Sequence, residues 1–362
     1  MHRHWPERRA ATLLRIEHPL IQAPMAGAQG AALALAVARA GALGSIPCAM
    51  LSTAQIGDEV ARFRAALPDA PLNLNFFCHT PPPDDTAALA RWRARLQPYY
   101  AELGAEPTAA AGASRRPFDA ETCALVEALR PSTVSFHFGL PETALLARVR
   151  ATGATVLASA TTVAEARWLA ARGVDAVIAQ GAEAGGHRGL FLCDDVATQP
   201  GLFALLPQVV DAVAVPVIAA GGIGDARGIA AAFALGAAAV QIGTAYLYTP
   251  QAHVAAVHRA ALAGARDDGT ALTNVFSGRP ARSLMNRLMR ELGPLSADAP
   301  AFPLAGTALA PLRAKAEAAG SGDFQSLWSG QAAALSRALA TGVDAEALTR
   351  RLIAEALARI GV

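Results

Sequence analysis

The segment Val177-Ile-Ala-Gln-Gly-Ala-Glu-Ala-Gly-Gly-His-Arg-Gly189 changes character halfway along its length. Its first residues form a short apolar run bounded by glycines, the signature of a strand covered on both faces. Its second half is glycine-rich and carries one imidazole. Gly185, Gly186 and Gly189 allow close backbone approach and positive φ. Gln180 and Glu183 place polar groups where the strand is still expected to be buried. Two readings stay open here: a tight strand-to-helix turn with a solvated histidine, or a site in which His187 reaches a substrate.

Outward from this segment the chain repeats one unit. Strands are expected at Pro19–Ala26, Gly41–Ala49, Leu72–Cys78, Thr133–Phe138, Thr155–Ser159, at the segment above, at Val215–Ala220 and at Ala238–Gly243. Helices are expected between them, with Ser52, Thr162 and Asp225 as N-caps and Pro141 opening another. Eight strand–helix alternations with apolar strands imply a parallel sheet, and eight strands close a (β/α)8 TIM barrel. An open doubly wound sheet is the competing architecture. Against it, no dinucleotide-type glycine fingerprint follows the first strand. The glycine turns gather instead late in the chain, where barrels bind phosphate.

The alternation pauses at 79–117, read as an insertion after the third strand that carries Trp92, Tyr99 and Tyr100. It stops after Tyr246. Residues 10–249 are therefore expected to form the barrel. Residues 250–362 are expected to form a mostly helical lid or side domain, with helices at Pro250–Ala263, Ser283–Leu292, Leu309–Ala319, Gln331–Ala340 and Asp344–Ile360.

Composition narrows the function classes. Among 362 residues, 53% are hydrophobic and the formal net charge is +2, with no basic run interleaved with aromatics. A large core is affordable and nucleic-acid binding is not expected. Cys48, Cys78, Cys123 and Cys193 lack metal-ligand spacing, so neither a metal site nor a disulfide framework is expected. Apolar tracts are broken before membrane-spanning length and the basic N-terminus leads into no apolar stretch, so a cytoplasmic protein is expected. Lys315 is the only lysine, so Schiff-base chemistry would rest on it alone.

Ala220-Gly-Gly-Ile-Gly224 and Gln241-Ile-Gly-Thr244 end neighbouring strands. Their backbone N–H groups and a following helix N-terminus suit a phosphate; two tight turns without a ligand are the plain alternative. Gln22, Pro24, Met25 and Asn75 put polar or irregular features at the ends of strands one and three. A flat heterocycle with carbonyl and N–H edges would satisfy several at once. His137 ends strand four, either lining a site or packed between phenylalanines. Trp328, with the insertion's aromatics, could roof a pocket, although aromatic residues in a lid are more often simply core; His253 and His258 are expected to face solvent on a late helix. Gln180 and Glu183 are read as orienting the turn rather than as an acid/base pair.

With these residues in place, the chain resembles the nitronate monooxygenase (2-nitropropane dioxygenase) family of the bacterial class I type. The matching segments are Gln22-Ala-Pro-Met-Ala-Gly27, Asn75-Phe-Phe77, Ser135-Phe-His-Phe-Gly139, Gln180 to Gly189, Ala219-Ala-Gly-Gly-Ile-Gly224 and Gln241-Ile-Gly-Thr-Ala-Tyr-Leu247. Gly278-Arg-Pro-Ala-Arg282 and Trp328-Ser-Gly-Gln331 add to them. The Gly-Gly-His and Ala-Gly-Gly-Ile pieces are shared across a wider flavin superfamily, and the Gln241–Leu247 segment is more specific.

The resemblance implies an FMN-dependent flavoprotein monooxygenase acting on alkyl nitronates with O2, with propionate 3-nitronate as a candidate substrate. It implies that carbonyl compound and nitrite are formed through a flavin semiquinone. It implies that Ala23, Pro24 and Met25 line the flavin and that Asn75 and Gln180 bond its polar edge. Gly185, Gly222, Gln241, Gly243 and Thr244 would hold the phosphate. Gln22, Gly186, Gly221 and Ile242 lie in the same motifs and join the cofactor-binding set. His187 corresponds to the active-site histidine and His137 to a second pocket histidine. The family's C-terminal tyrosines and lysine have no aligned counterpart; Phe324 and Trp328 stand in that region. A monomer or homodimer is expected. The alternatives are an NAD(P)H-dependent reductase of quinones or enoyl thioesters, a non-catalytic ligand-binding barrel, and a lysine-dependent aldolase.

Overall fold

The computed structural model describes residues 4–83, 85–107 and 115–361. Position 84 and residues 108–114, within the expected insertion, lie outside that range. The first half of the chain runs α1 (Arg9–Leu14), β1 (Leu20–Gln22), α2 (Ala31–Arg39), β2 (Gly44–Pro47), α3 (Thr53–Ala66), β3 (Leu72–Phe77), α4 (Thr86–Leu103), α5 (Ala120–Leu129), β4 (Thr133–His137), α6 (Thr143–Ala151), β5 (Thr155–Ala160) and α7 (Val163–Ala171). It continues with β6 (Ala176–Gln180), β7 (Gly186–His187), α8 (Leu202–Ala212), β8 (Val217–Ala220), α9 (Ala226–Ala234) and β9 (Ala239–Ile242).

Eight of these strands form one parallel sheet in the order β1-β9-β8-β6-β5-β4-β3-β2. A parallel bridge between Ile21 and Leu43 joins the two ends and completes the cylinder. The fold is a TIM barrel. The strands are short and apolar because both faces are covered: Ile21, Leu157, Ile178 and Ile218 fill the interior, while Leu74, Val134, Val177 and Val240 face the helices. Ala10, Ala11 and Leu14 of α1 pack into the interior cluster and cap the barrel's N-terminal mouth.

The expected caps are present. Ser52, Thr162 and Asp225 accept from backbone N–H groups at Gln55, Glu165 and Arg227, respectively. Pro141, however, lies before the cap Glu142, outside the helix it was expected to open.

After β9 the chain runs through α10 (Ala256–Ala263), β10 (Thr270–Thr273), β11 (Ala281–Leu284), α11 (Arg287–Leu292), α12 (Ala305–Ala318), α13 (Ala333–Ala340) and α14 (Ala345–Ile360). The expected helix from Ser283 begins instead as strand. β10 and β11 pair antiparallel, and β11 pairs with β7, so His187 sits in a three-stranded sheet rather than on a free glycine turn. The sheet was hidden in the sequence because two-residue β7 has no period of its own; its partner lies some 95 positions later.

The division at 249/250 follows the break in alternation, but α14 crosses it. No α-helix directly follows β9, and α14 packs against α9 and α2, taking the eighth place in the helical ring. Leu348, Leu352 and Ala356 join the main core, and Thr349 bonds the Tyr246 hydroxyl at 2.8 Å. The insertion helix α4 packs against α12. Trp92, Tyr99 and Tyr100 build a second core with Phe276, Leu309 and Phe324. They support the wall and are not themselves a roof; Trp92 donates to the Ala305 carbonyl at 3.2 Å.

Candidate active site

The C-terminal ends of the barrel strands open into a cavity of about 460 Å³, within the range of ligand sites. Asn75 of β3, His137 of β4, Gln180 of β6 and Gln241 of β9 line it. So do Ala23, Pro24 and Met25 after β1, and Gly221 and Gly222 after β8. Gly243 and Thr244 follow β9, and Gly185, Gly186 and His187 come from the central segment. Two expected residues lie elsewhere. Gln22 is wholly buried, donating to Gln29 Oε1 at 2.7 Å and accepting from Ser45 N at 3.0 Å. Ile242 is packed in the main core.

The central segment is held by buried polar contacts. Gln180 Oε1 accepts from Gly189 N at 2.7 Å, and its Nε2 donates to the His187 carbonyl at 3.0 Å. Arg188 has no solvent exposure. Its guanidinium donates to the Gln180 carbonyl at 2.7 Å, to the Gly181 carbonyl, and to Gln199 Oε1 at 3.0 Å. Burial lowers it to about 10, which leaves it charged at neutral pH. Arg188 was quoted in the sequence without a role; nothing local marks an arginine as a buried tether. Glu183 accepts from Leu202 N at 2.9 Å, consistent with an orienting carboxylate.

His187 is enclosed by Phe77, Phe138, Phe302 and Trp328, with centroids of 5.3 Å to the last two. Its Nε2 lies 2.9 Å from Ser277 Oγ. Burial first, and then the nearby guanidiniums of Arg115 and Arg279, drive it well below the ordinary histidine range. It is neutral at pH 7 and has a lone pair available for a proton. His137 is lowered to about 4, chiefly by burial. His253 and His258 also line the cavity, against expectation. His253 precedes α10, and His258 bonds the Trp328 carbonyl at 3.1 Å. Burial lowers His258 to about 4.

The floor has the features of a cofactor seat. Gln241 Oε1 is buried with no hydrogen-bond partner among the described residues, a cost of about 1–3 kcal/mol that a ligand donor would remove. A Cβ on Gly185 would lie 2.5 Å from Gly330 N and 2.6 Å from the Ser329 carbonyl carbon. Gly221 and Gly222 have φ of 108° and 70°, a left-handed backbone that disfavours any side chain at these two positions. Thr244 Oγ1 accepts from Gly330 N at 2.9 Å and thus ties the floor to the C-terminal region.

Two cations missed in the sequence reading, Arg115 and Arg313, also line the cavity. Arg115 lies 5.5 Å from the Phe302 ring. Arg313 donates to the Phe276 carbonyl and Ser326 Oγ, both at 3.0 Å. Both are lowered by burial, Arg313 to about 10, with no carboxylate contributing to either. Glu183, already engaged, is the one carboxylate among the described lining residues. Residues this far apart in sequence leave no local signal of convergence.

Among the described residues no cluster of His, Cys, Asp or Glu is arranged to hold a metal, and no helix is long and apolar enough to cross a membrane. Lys315 is exposed on α12 and does not line the cavity.

A family model described as Nitronate monooxygenase matches residues 7–353. The chain belongs to the nitronate monooxygenase family. It is 43% identical over 350 residues to a nitronate monooxygenase of Pseudomonas aeruginosa, covering 96% of this chain and 98% of that one. It is 42% identical over 344 residues to one of Paraburkholderia phytofirmans, covering 94% and 93%. The fold is similar to that of a nitroalkane oxidase from Streptomyces ansochromogenes, with TM-score 0.86, 38% identity and coverage of 98% and 99%. It is also similar to FabK from Thermotoga maritima, with TM-score 0.73, 26% identity and coverage of 98% and 97%. As a member of this family, the chain is an oxidoreductase of the monooxygenase type, a flavoprotein that oxidises nitronates.

Proposed function

We propose that the protein binds FMN at the strand ends and oxidises alkyl nitronates with O2 to a carbonyl compound and nitrite. A nitronate that also carries a carboxylate, such as propionate 3-nitronate, is the preferred substrate. The fit of the floor supports FMN: the unpartnered Gln241 oxygen would accept from the cofactor, and Gly185, Gly222, Gly243 and Thr244 would hold its phosphate. When bound, FMN supplies the electron acceptor for the nitronate and the relay to O2.

The residues of this chain do the rest. Phe77, Phe302 and Trp328 exclude water around His187. The neutral imidazole stands beside the bound substrate with one ring nitrogen held by Ser277. With a neutral nitroalkane it accepts the α-proton, leaving the electron pair on the nitro group. The observation that carries the substrate reading is the pair Arg115 and Arg313: two enclosed guanidiniums facing one cavity, with no ion-pair partner among the described residues, suit an anion with two charged ends.

The test is direct. The purified protein is denatured and the released chromophore identified by mass. Nitrite is then measured from ethylnitronate and propionate 3-nitronate under air. FMN release and nitrite formation are expected. A colourless protein that takes up no FMN would favour a binding barrel, whereas rapid NAD(P)H oxidation without nitrite would favour a reductase.

A further inference from the structure

Ser277 is not part of the cavity lining. It is 1% exposed and lies in the turn that joins β10 to β11. It contacts the cavity's chemistry through one atom, its hydroxyl, 2.9 Å from His187 Nε2. A serine hydroxyl has one proton and two lone pairs. The same Oγ lies 3.2 Å from the Arg279 carbonyl and 3.4 Å from Arg279 N. The carbonyl can only accept, so it takes the serine proton. The Arg279 amide can only donate. The contact to His187 therefore satisfies both partners when the imidazole carries its proton on Nε2 and donates to Ser277.

We propose that Ser277 is a positioning residue that fixes His187 as the Nε2–H tautomer and leaves Nδ1 as its proton acceptor. The inference rests on the reading of His187 as the group that accepts the α-proton of a nitroalkane. In that step the C–H bond breaks, the proton goes to Nδ1 and the electron pair goes to the nitro group as the nitronate. Nothing is oxidised until the nitronate has formed. Among the described residues, the other charged and titratable groups facing His187 are Arg115, Arg279, His79 and His137, with no carboxylate. The ring is thus oriented by a neutral hydroxyl where many catalytic histidines are oriented by an acid. That choice keeps the resting imidazole neutral and uncompensated. The cost of charging it falls on the proton transfer, and the anionic nitronate formed beside it offsets that cost.

The arrangement joins two elements that the sequence keeps apart. β7 carries His187, β11 pairs with it, and the turn before β11 delivers Ser277. A serine about 90 positions downstream is aligned with the imidazole because both lie on one small sheet.

Two measurements test it. Protein labelled with ¹⁵N-histidine, with the His187 signals assigned by their loss in His187→Asn, is examined by long-range ¹H–¹⁵N NMR. A protonated Nε2 and an unprotonated Nδ1 are expected at neutral pH; the reverse assignment, or a doubly protonated ring, overturns the proposal. Nitrite formation by Ser277→Ala is then compared on neutral nitroethane and on preformed ethylnitronate. The ratio of nitroethane to ethylnitronate kcat/KM is expected to fall between about tenfold and a hundredfold, the scale of a misoriented catalytic group. Ser277→Thr, which keeps the hydroxyl, is expected to recover most of it. An unchanged ratio in Ser277→Ala removes Ser277 from the chemistry even if both activities fall together through a loosened turn. Failure of the parent reading looks different: His187→Asn would then turn over nitroethane at the normal rate.

Discussion

His137 donates its Nε2 proton to the backbone carbonyl of His187, 3.2 Å away. The same carbonyl accepts from Gln180 Nε2. The second histidine of the cavity thus grips the main chain of the first, and its own tautomer is set by that bond. Gly189 is what lets the ring sit there, since a Cβ at that position would lie 2.8 Å from His137 Cε1. His137 is therefore a support for His187 in this arrangement, with a depressed basicity that keeps it neutral.

Burial of neutral imidazoles has a consequence for acid stability. His79, His137 and His258 are each lowered to about 4, with burial the largest cause. An unfolded histidine titrates near 6.5. Between these values the unfolded chain binds more protons, so stability rises with pH. The contribution is complete above about pH 6.5 and is lost as pH falls toward 4. Urea midpoints measured at pH 7.5, 6 and 4.5 are expected to decline. The decline should be shallower in His258→Gln, which keeps a donor for the Trp328 carbonyl without a titrating ring.

Arg188→Met removes three tethers from the Gln180–Gly189 segment and takes the guanidinium from the Gln180 carbonyl, while the Gly181 carbonyl keeps Ala184 N as a donor at 3.1 Å. A hydrogen bond to a charged group is worth about 1.5–3 kcal/mol, and several are lost together here. A loss of about 3 kcal/mol in equilibrium unfolding is expected, because part of the arginine's own desolvation cost disappears with it. A change under about 1 kcal/mol would mean that the segment is held from elsewhere.

Gln241→Leu separates folding from cofactor binding. The variant removes a buried acceptor that has no partner among the described residues. The apoprotein is expected to be as stable as the parent or more so, while FMN affinity falls about tenfold, the worth of roughly one hydrogen bond. Fluorescence titration of apoprotein with FMN, beside thermal melts of the apo forms, reads both effects. Equal FMN affinity in the two proteins would show that Gln241 does not meet the cofactor.

Arg313→Ala should discriminate between substrates. A charge-assisted hydrogen bond is worth about 1.5–3 kcal/mol, so KM for propionate 3-nitronate is expected to rise between about tenfold and a hundredfold. KM for ethylnitronate should change little. Steady-state nitrite assays on both substrates decide it, and a parallel rise in both would point to a general loosening of the Trp328 wall. Arg115→Ala is expected to act in the same direction.

Much of the barrel was legible in the chain because its signals are local. Apolar runs covered on both faces, glycine turns and the caps at Ser52, Thr162 and Asp225 are each set by a few consecutive residues, and their order is enough to propose eight strands. Most of the floor was legible for the same reason: strand ends in a barrel converge, so the motif residues after β1, β8 and β9 had to meet. Gln22 and Ile242 show the limit. They belong to the same motifs, but the alternation along a strand turned them away from the cavity.

What only the tertiary structure decided are the contacts between distant segments. The pairing of β7 with β11, the docking of α14 as the eighth helix, the placement of His253 and His258 in the wall, and the meeting of Arg115 with Arg313 leave no period or cap in the sequence. Sequence by itself determined the cylinder, through short-range backbone preferences and two-sided burial. The environment of His187 depends on which remote side chains fill the space around it, and that is settled only when the whole chain packs.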